Sequence, residues 1–104
     1  MAVTYRGVRT PTGATVTAAR DADPTPLVHI ERHSPDGYEW GYHGSGPLDL
    51  AYSVLCDFAS LGLANAAYRQ FAHRVIATLP HAEWTITAHQ ISDFLVETAV
   101  GKGV

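Results

Sequence analysis

Alternating apolar and polar residues dominate the first part of the chain and predict β-strands. Residues 3–9 and 14–18 are rich in Val, Thr and Tyr, and the turn-forming cluster 10–13 separates them. These two segments are therefore predicted to pair as a hairpin. Residues 20–26 carry two aspartates and two prolines, a composition that predicts a surface connection without strand pairing.

A second pair of strand-like segments follows, over residues 27–33 and 38–42. Between them lies the sequence SPDG at 34–37, in which proline and glycine occupy the positions that a type I turn favours. The pattern predicts a second hairpin. By the period of two in a strand, Tyr38, Trp40 and Tyr42 would share one face and belong to the core.

The apolar spacing changes to that of a helix after the GSGP turn. From there to about Ser60, apolar residues cover more than a third of the helical circumference, so this first helix is predicted to be largely buried. Pro47 is acceptable in the first turn of a helix. The narrower polar strip consists of Asp49, Ser53, Asp57 and Ser60.

Two further helices and a short strand complete the pattern. Gly62 is predicted to end the first helix in a left-handed conformation, and residues 64–79 to form the second helix. Residues 83–86 are predicted to form a short strand. Thr87 and Gln90 then have the spacing of a capping box, which predicts the start of a third helix. The tail at 101–104 is expected to fray.

These elements predict one α+β domain over residues 1–104, with the order ββββααβα. We expect a mostly antiparallel sheet of three to five strands packed against two or three helices. The length of 104 residues, 46% of them hydrophobic, suits one core.

The charge pattern excludes several classes of function. A net charge of −3 provides no basic surface for the phosphate backbone, so direct nucleic-acid binding is not expected. The apolar runs are shorter than the roughly 20 residues of a membrane span. With Cys56 as the single cysteine the chain can form no internal disulfide, which favours a cytoplasmic location.

Catalytic chemistry is poorly represented, and we predict that the protein is not an enzyme. Cys56 falls inside the apolar first helix, where a thiol behaves as a small hydrophobe. Ser34 lies between His33 and Asp36, but neighbours in a tight turn cannot adopt the geometry of a catalytic triad.

His29, Glu31 and His33 would project from one face if residues 27–33 form a strand. Two imidazoles and a carboxylate could hold zinc or iron. Alternatively, they form the solvated side of an antiparallel sheet. The second interpretation is favoured because spacing alone does not supply converging geometry, so no metal and no cofactor are predicted.

The glycine-rich turn at 41–47 allows two interpretations. Its backbone N–H groups, with the positive end of the first helix behind them, could bind a phosphate or a carboxylate. Alternatively, the turn is a structural corner in which Ser45 caps the helix and Asp49, in the first helical turn, neutralises the dipole. The corner is favoured. The candidate ligand-binding residues are Gly41, Tyr42, His43, Gly44, Ser45 and Gly46.

Several of these segments resemble an uncharacterised family of small prokaryotic and mobile-element domains. The resemblance rests on EWGYHGSGP followed by LDLA, on YRG near the N-terminus, on HSPDG, and on an aromatic second helix ending in LP. It implies a single domain but no activity. The positions it marks are Trp40, Gly41, Tyr42, Gly44, Ser45, Gly46 and Pro47.

The leading hypothesis is a non-enzymatic protein-binding or regulatory module. Tyrosine and arginine are favoured in interfaces, and six such residues fall in predicted strands. By analogy with small mobile-element domains, the partner would be a nucleic-acid-targeting host defence complex and the module an inhibitor of the anti-CRISPR kind. The alternative is a small-anion or nucleotide binder that uses the turn 41–47. The predicted partner-binding residues are Tyr5, Arg6, Arg9, Arg32, Tyr38 and Tyr42.

Overall fold

In the described ranges, the chain folds into one antiparallel sheet with three helices. The computed structural model describes residues 2–35 and 37–103, and side chains as far as Thr98. The α+β class is confirmed. The sheet has four strands in the order β3-β2-β1-β4. The elements are β1 (Val3–Thr10), β2 (Gly13–Arg20), β3 (Asp23–Pro26), α1 (Ser45–Phe58), α2 (Leu61–Arg74), a 3₁₀ turn (Ile76–Thr78), β4 (Glu83–Thr87) and α3 (Ala88–Gly103).

The first hairpin forms as predicted, but residues 20–26 do not form an unpaired connection. Asp21 and Ala22 have φ of 54° and 65°, the left-handed conformation that tight hairpin turns require. The chain thereby returns as β3, an edge strand paired with β2. The nitrogens of Pro24 and Pro26 point away from β2, so the missing N–H groups break no hydrogen bond of the sheet.

The predicted second hairpin is wrong. Between Leu27 and Gly44 the described residues contain no strand, so the element order is βββααβα. Because strand alternation does not apply there, the three aromatic residues do not share a face. Trp40 is buried, Tyr38 is half-buried and Tyr42 is 48% exposed.

The core lies between the helices and the inner face of the sheet. Trp84 on β4 packs edge-to-face against Trp40, with ring centroids 5.5 Å apart. Gly7 lies opposite Trp84 in the sheet, and a Cβ there would come within 2.3 Å of the indole. Glycine at position 7 therefore makes room for the tryptophan.

The helix boundaries differ from the predicted ones at the first junction. Gly62 is the second residue of α2 and does not end α1, whereas Ser60 caps α2 by accepting a hydrogen bond from the N–H of Leu63 at 3.1 Å. The second helix also ends earlier than predicted, at Arg74. Tyr68 and the neighbouring apolar positions of α2 are buried as predicted.

The capping box at the start of α3 is confirmed. The N–H of Gln90 donates to Thr87 Oγ1 at 3.2 Å, and the N–H of Thr87 donates to Gln90 Oε1 at 2.8 Å. The helix continues to Gly103, where a frayed tail is predicted. Of the helices in the described ranges, none has the length and apolar character needed to cross a membrane.

Candidate functional site

The carboxylate of Asp49 organises the irregular segment 27–44. Asp49 lies in α1 and is fully buried. Its oxygens accept backbone N–H groups from Arg32 at 3.2 Å, His33 at 2.8 Å and Ser34 at 3.0 Å. Since buried N–H groups need partners, this one side chain replaces the strand pairing that the sequence predicts for the segment.

Two more contacts complete the anchor. His29 Nε2 lies 2.8 Å from Asp49 Oδ2, and because an ionised carboxylate only accepts, the imidazole nitrogen donates. Ser53, one helical turn after Asp49, accepts the N–H of Ile30 at 2.9 Å. Asp49 and Ser53, two residues of the predicted polar strip of α1, are therefore buried under the segment.

The surroundings of Asp49 favour its ionised form. Burial by itself would raise the pKa of this carboxyl, but hydrogen bonds from His29 and from the three backbone N–H groups outweigh burial and lower the pKa below its usual value. Asp49 is also not in the first turn of α1, which begins at Ser45 and has no acidic residue there. Its charge serves segment 27–44 rather than the helix dipole.

The trio His29, Glu31 and His33 does not converge. His29 binds Asp49, and His33 Nε2 lies 2.9 Å from the hydroxyl of Tyr68. No group of three or more possible metal ligands occurs in the part of the chain that the structure describes. The strand face on which the metal hypothesis depended does not form.

The anchored segment places Arg32 on the surface of α1 and α2. Its guanidinium donates to the hydroxyl of Tyr52 and to Asn65 Oδ1, both at 3.0 Å. The same guanidinium lies 4.6 Å from the ring centroid of Tyr52 and 5.8 Å from that of Tyr68. Arg32 is thus exposed but held in one orientation.

Arg69 approaches the same tyrosine from α2, with its guanidinium 5.1 Å from the Tyr68 ring centroid. Arg32, His33 and Arg69 form a surface over the buried ring of Tyr68. This surface is called the Tyr68 face below. The chain has six arginines. Four of them form ion pairs, whereas Arg32 and Arg69 have no carboxylate partner among the described residues. The paired ones are Arg6 with Glu83, Arg9 with Glu39, Arg20 with Asp57, and Arg74 with Glu97.

The other predicted partner-binding residues are scattered. Tyr5 is buried and donates its hydroxyl to Asp57 at 2.7 Å, so it is a core residue. Arg6 lies on the open face of the sheet. Arg9 forms a bidentate pair with Glu39, at 3.0 and 2.8 Å, and packs over Trp40. Tyr38 donates to the carbonyl of Leu27 at 2.9 Å.

The glycine-rich turn is held against the 3₁₀ segment that follows α2. Gly41 has φ of 86°, and its N–H donates to the carbonyl of Ile76 at 3.0 Å, which ties the turn to the 3₁₀ segment. The prediction that Ser45 caps α1 is wrong. Gly44 occupies the cap position with extended backbone, and no side chain bonds there.

A surface cavity of about 190 Å³ lies beside this turn. The rings of His43 and His73 stack at its wall, with centroids 4.6 Å apart, and Arg69 also lines it. Of the six candidate ligand-binding residues, Tyr42, His43 and Gly44 line the cavity, whereas Gly41, Ser45 and Gly46 do not. None of the lining residues in the described ranges is acidic.

The two candidate nucleophiles, Cys56 and Ser34, lie in surroundings that do not activate them. Burial raises the pKa of the Cys56 thiol, which keeps it in its unreactive form. Ser34 is buried with its N–H bound to Asp49.

Of the residues predicted from the sequence, Arg32 lies on the Tyr68 face and Tyr42 lines the cavity, and their roles stay predictions. Asp49, Tyr68 and Arg69 were not among the predicted site residues. A polar residue inside an otherwise apolar helix was the available signal for Asp49, since a buried carboxylate needs donors. Tyr68 and Arg69 looked like core and solvated positions of an ordinary amphipathic helix. Only the position of segment 27–44 brings Arg32 to them.

The fold and the site define a small α+β domain in which a buried carboxylate holds a long irregular segment against two helices. The chain belongs to the Family of unknown function (DUF6166), whose model matches residues 5–97. No curated protein and no solved structure matches the chain. The resemblance to an uncharacterised family is confirmed, while the WGYxGSGP motif and the prokaryotic, mobile-element origin stay predictions.

Proposed function

We propose that this protein is a non-enzymatic protein-binding module that recognises an acidic surface through the Tyr68 face. The observation that carries the proposal is the contrast among the arginines. Arg32 and Arg69 have no carboxylate partner in the described residues, and both stack on Tyr68. In a chain of net charge −3, this concentrates unpaired positive charge in one place.

The composition of the Tyr68 face supports a protein partner. Arginine, which the face exposes twice, is among the residue types most enriched at the energetic centres of interfaces. A guanidinium recognises a carboxylate through a planar pair of donors and binds well where an aromatic ring supports it. Arg32 offers that arrangement in a fixed orientation, which reduces the entropy lost on binding.

The experiment is affinity capture with the immobilised protein, followed by titration of each purified captured protein against wild type and a double variant, Arg32→Glu with Arg69→Glu. We expect a captured protein with an acidic surface, whose affinity falls by at least about 30-fold in the double variant, the effect of losing one strong interface residue. Binding should also weaken as salt is raised.

Arg6→Gln is the matched control, because Arg6 is also an exposed arginine but lies on the open face of the sheet. Melting temperatures establish that all variants fold. A captured protein that binds the double variant as tightly as wild type, or that is lost equally with Arg6→Gln, would contradict the proposal.

A second candidate function is binding of a small anion or nucleotide in the cavity beside the glycine-rich turn. The observation that favours it is a wall of nitrogen donors formed by His43, His73 and Arg69, with no acidic residue among the described residues of the lining. Imidazole and guanidinium N–H groups both donate to phosphate oxygens.

Thermal shift with inorganic phosphate and with ATP separates this candidate from the first. A ligand at a hundred times its dissociation constant stabilises the fold by about 2.7 kcal/mol. If the cavity binds anions, the double variant His43→Gln with His73→Gln loses the shift, and Arg32→Gln keeps it. A shift of equal size in both variants, or none in wild type, rules the cavity out.

The identity of the partner as a nucleic-acid-targeting host defence complex stays a prediction. Addition of the purified protein to such a complex in a DNA-cleavage assay checks it. We expect inhibition by wild type and none by the Arg32→Glu, Arg69→Glu variant. If the wild-type protein does not affect cleavage, the predicted partner is wrong, and the module would bind a different acidic protein.

A further inference from the structure

The two edges of the sheet differ in the backbone N–H groups that they expose. At the β3 edge, the N–H of Leu27 donates to the carbonyl of Val16 at 2.9 Å, which fixes the alternation of the antiparallel pairing. Pro24 and Pro26 therefore occupy the positions whose nitrogens face solvent. Neither has an N–H group, so this edge offers no donor there to another strand.

The β4 edge keeps its outward-facing backbone groups. The N–H of Arg9 donates to the carbonyl of Ala82 at 2.9 Å, and by the same alternation Trp84 and Ile86 direct their backbone groups to β1. Glu83 and Thr85 direct theirs away from the sheet. Within the described ranges no group of the chain binds them, whereas the next outward N–H, that of Thr87, binds the side chain of Gln90.

A groove of about 270 Å³ lies directly beside this free edge. The end of α2 and the 3₁₀ turn form its far wall, and Thr85 and Ile86 its near wall. Four of the eight lining residues in the described ranges are apolar, and a single charged group lies among the other four. That group, Arg74, is half exposed and only 3.8 Å from Glu97, a loose ion pair at the surface. The apolar lining residues include Phe71, Val75, Leu79 and Ile86.

We propose that β4 and this groove form a second docking site, which accepts an extended segment of a partner protein as a fifth strand. The added strand binds the free groups of Glu83 and Thr85. By the period of two, it places one apolar side chain in the groove and a carboxylate two positions along the same face, next to Arg74. This site is separate from the Tyr68 face and does not depend on it.

A partner segment fits this site better than a second copy of the chain. If two copies of β4 paired, each would present Trp84 and Ile86 on the inner face, and both side chains are already buried in their own core. The groove would then receive no side chain. A foreign segment brings a free apolar side chain and a carboxylate, which match the lining and the charge of Arg74.

The test is selection from a phage-displayed library of random seven-residue peptides on the immobilised wild-type protein. We expect enriched peptides to alternate apolar and polar residues and to carry Asp or Glu two positions from an apolar residue. Thr85→Pro places a proline at an outward-facing position of β4, as Pro24 and Pro26 do in β3. It removes an outward N–H group without breaking the β1–β4 pairing. It should reduce enrichment at least tenfold, and Arg74→Glu should replace the acidic preference by a basic one.

Hydrogen exchange on the wild type keeps the test independent of how well Thr85→Pro folds. On addition of an enriched synthetic peptide, the Thr85 amide should become protected, while the Tyr68 face should not change. No enrichment over resin without protein, or an unchanged Thr85 amide in the bound state, overturns the proposal. Equal enrichment on a folded Thr85→Pro variant overturns it as well.

Discussion

The β1–β2 hairpin and segment 27–44 satisfy their backbones in opposite ways. In the hairpin, Val3–Thr10 pairs residue by residue with Gly13–Arg20, and main-chain groups bind one another. In segment 27–44, key N–H groups bind side chains of α1, three of them on the single carboxylate of Asp49. The structure of the hairpin therefore depends on many backbone hydrogen bonds, whereas that of segment 27–44 depends on a few side-chain acceptors.

The proposed binding surface depends on the second of these regions. The Tyr68 face exists because segment 27–44 brings Arg32 to α2, and Arg32 is itself one of the residues whose N–H binds Asp49. A change in the core at Asp49 should therefore alter the binding surface, while changes in the hairpin should not.

Replacing Asp49 should produce the largest effect. Asp49→Ala leaves His29 and three backbone N–H groups without their acceptor in a buried site, which we expect to cost roughly 3–5 kcal/mol. Chemical denaturation measures this loss. Asp49→Asn is the matched variant, since it keeps the shape and one acceptor oxygen, and it should lose less. Equal stability of wild type and Asp49→Ala would contradict the anchor.

Acid should weaken the same region. Asp49 has a folded pKa below its usual 3.8, so its ionisation stabilises the fold above that value, and the contribution is lost as the pH falls through the folded pKa. Stability measured from pH 6 to pH 2 should fall below about pH 4. Arg9 lowers the pKa of Glu39 as well, so Glu39 also contributes to the loss of stability in acid. The part of the loss that belongs to Asp49 is the difference between wild type and Asp49→Asn, and identical profiles would contradict it.

Ser53→Ala should have a smaller effect of the same kind. It removes the acceptor of one N–H, that of Ile30, and should destabilise by about 1 kcal/mol. The exposed hydroxyl of Thr15, which donates to the carbonyl of Val8 in the hairpin, provides the control. Thr15→Ala should change stability by less than half as much, and a reversed order would argue against the comparison.

A change in the turn between β2 and β3 should have the smallest effect on stability, and it should stabilise the fold. Ala22 has φ of 65°, which costs a residue with a Cβ but not glycine. Ala22→Gly should stabilise by about 0.5 kcal/mol, since part of the relief is offset by the greater freedom of glycine in the unfolded chain. Affinity at the Tyr68 face should stay constant. A thermal melt and the partner titration check both points.

The regular elements could be predicted from the sequence because their signals are local. The β1–β2 hairpin, β4 and the capping box of Thr87 and Gln90 follow from alternation and short-range spacing. Segment 27–44 has strand-like alternation too, yet its backbone binds Asp49 and Ser53, 15 or more residues away along the chain. Alternation carries no information about that competition between side-chain and main-chain acceptors.

The site was harder to predict than the fold for a related reason. Arg32 and Arg69 lie in different elements, and each looks like an ordinary exposed residue. Their common contact, Tyr68, has the spacing of a core position in α2. The missing information is the path of segment 27–44, and the same error that predicted a hairpin there separated Arg32 from its neighbours.

The most direct test of the account is hydrogen exchange on wild type and Asp49→Asn under native conditions. We predict that the amides of Arg32, His33 and Ser34 exchange at least about tenfold faster in the variant, because they open locally, while the amides of the β1–β2 hairpin keep their protection. Unchanged protection of these three amides, or equal acceleration throughout the hairpin, would contradict the claim that one carboxylate holds segment 27–44 in place.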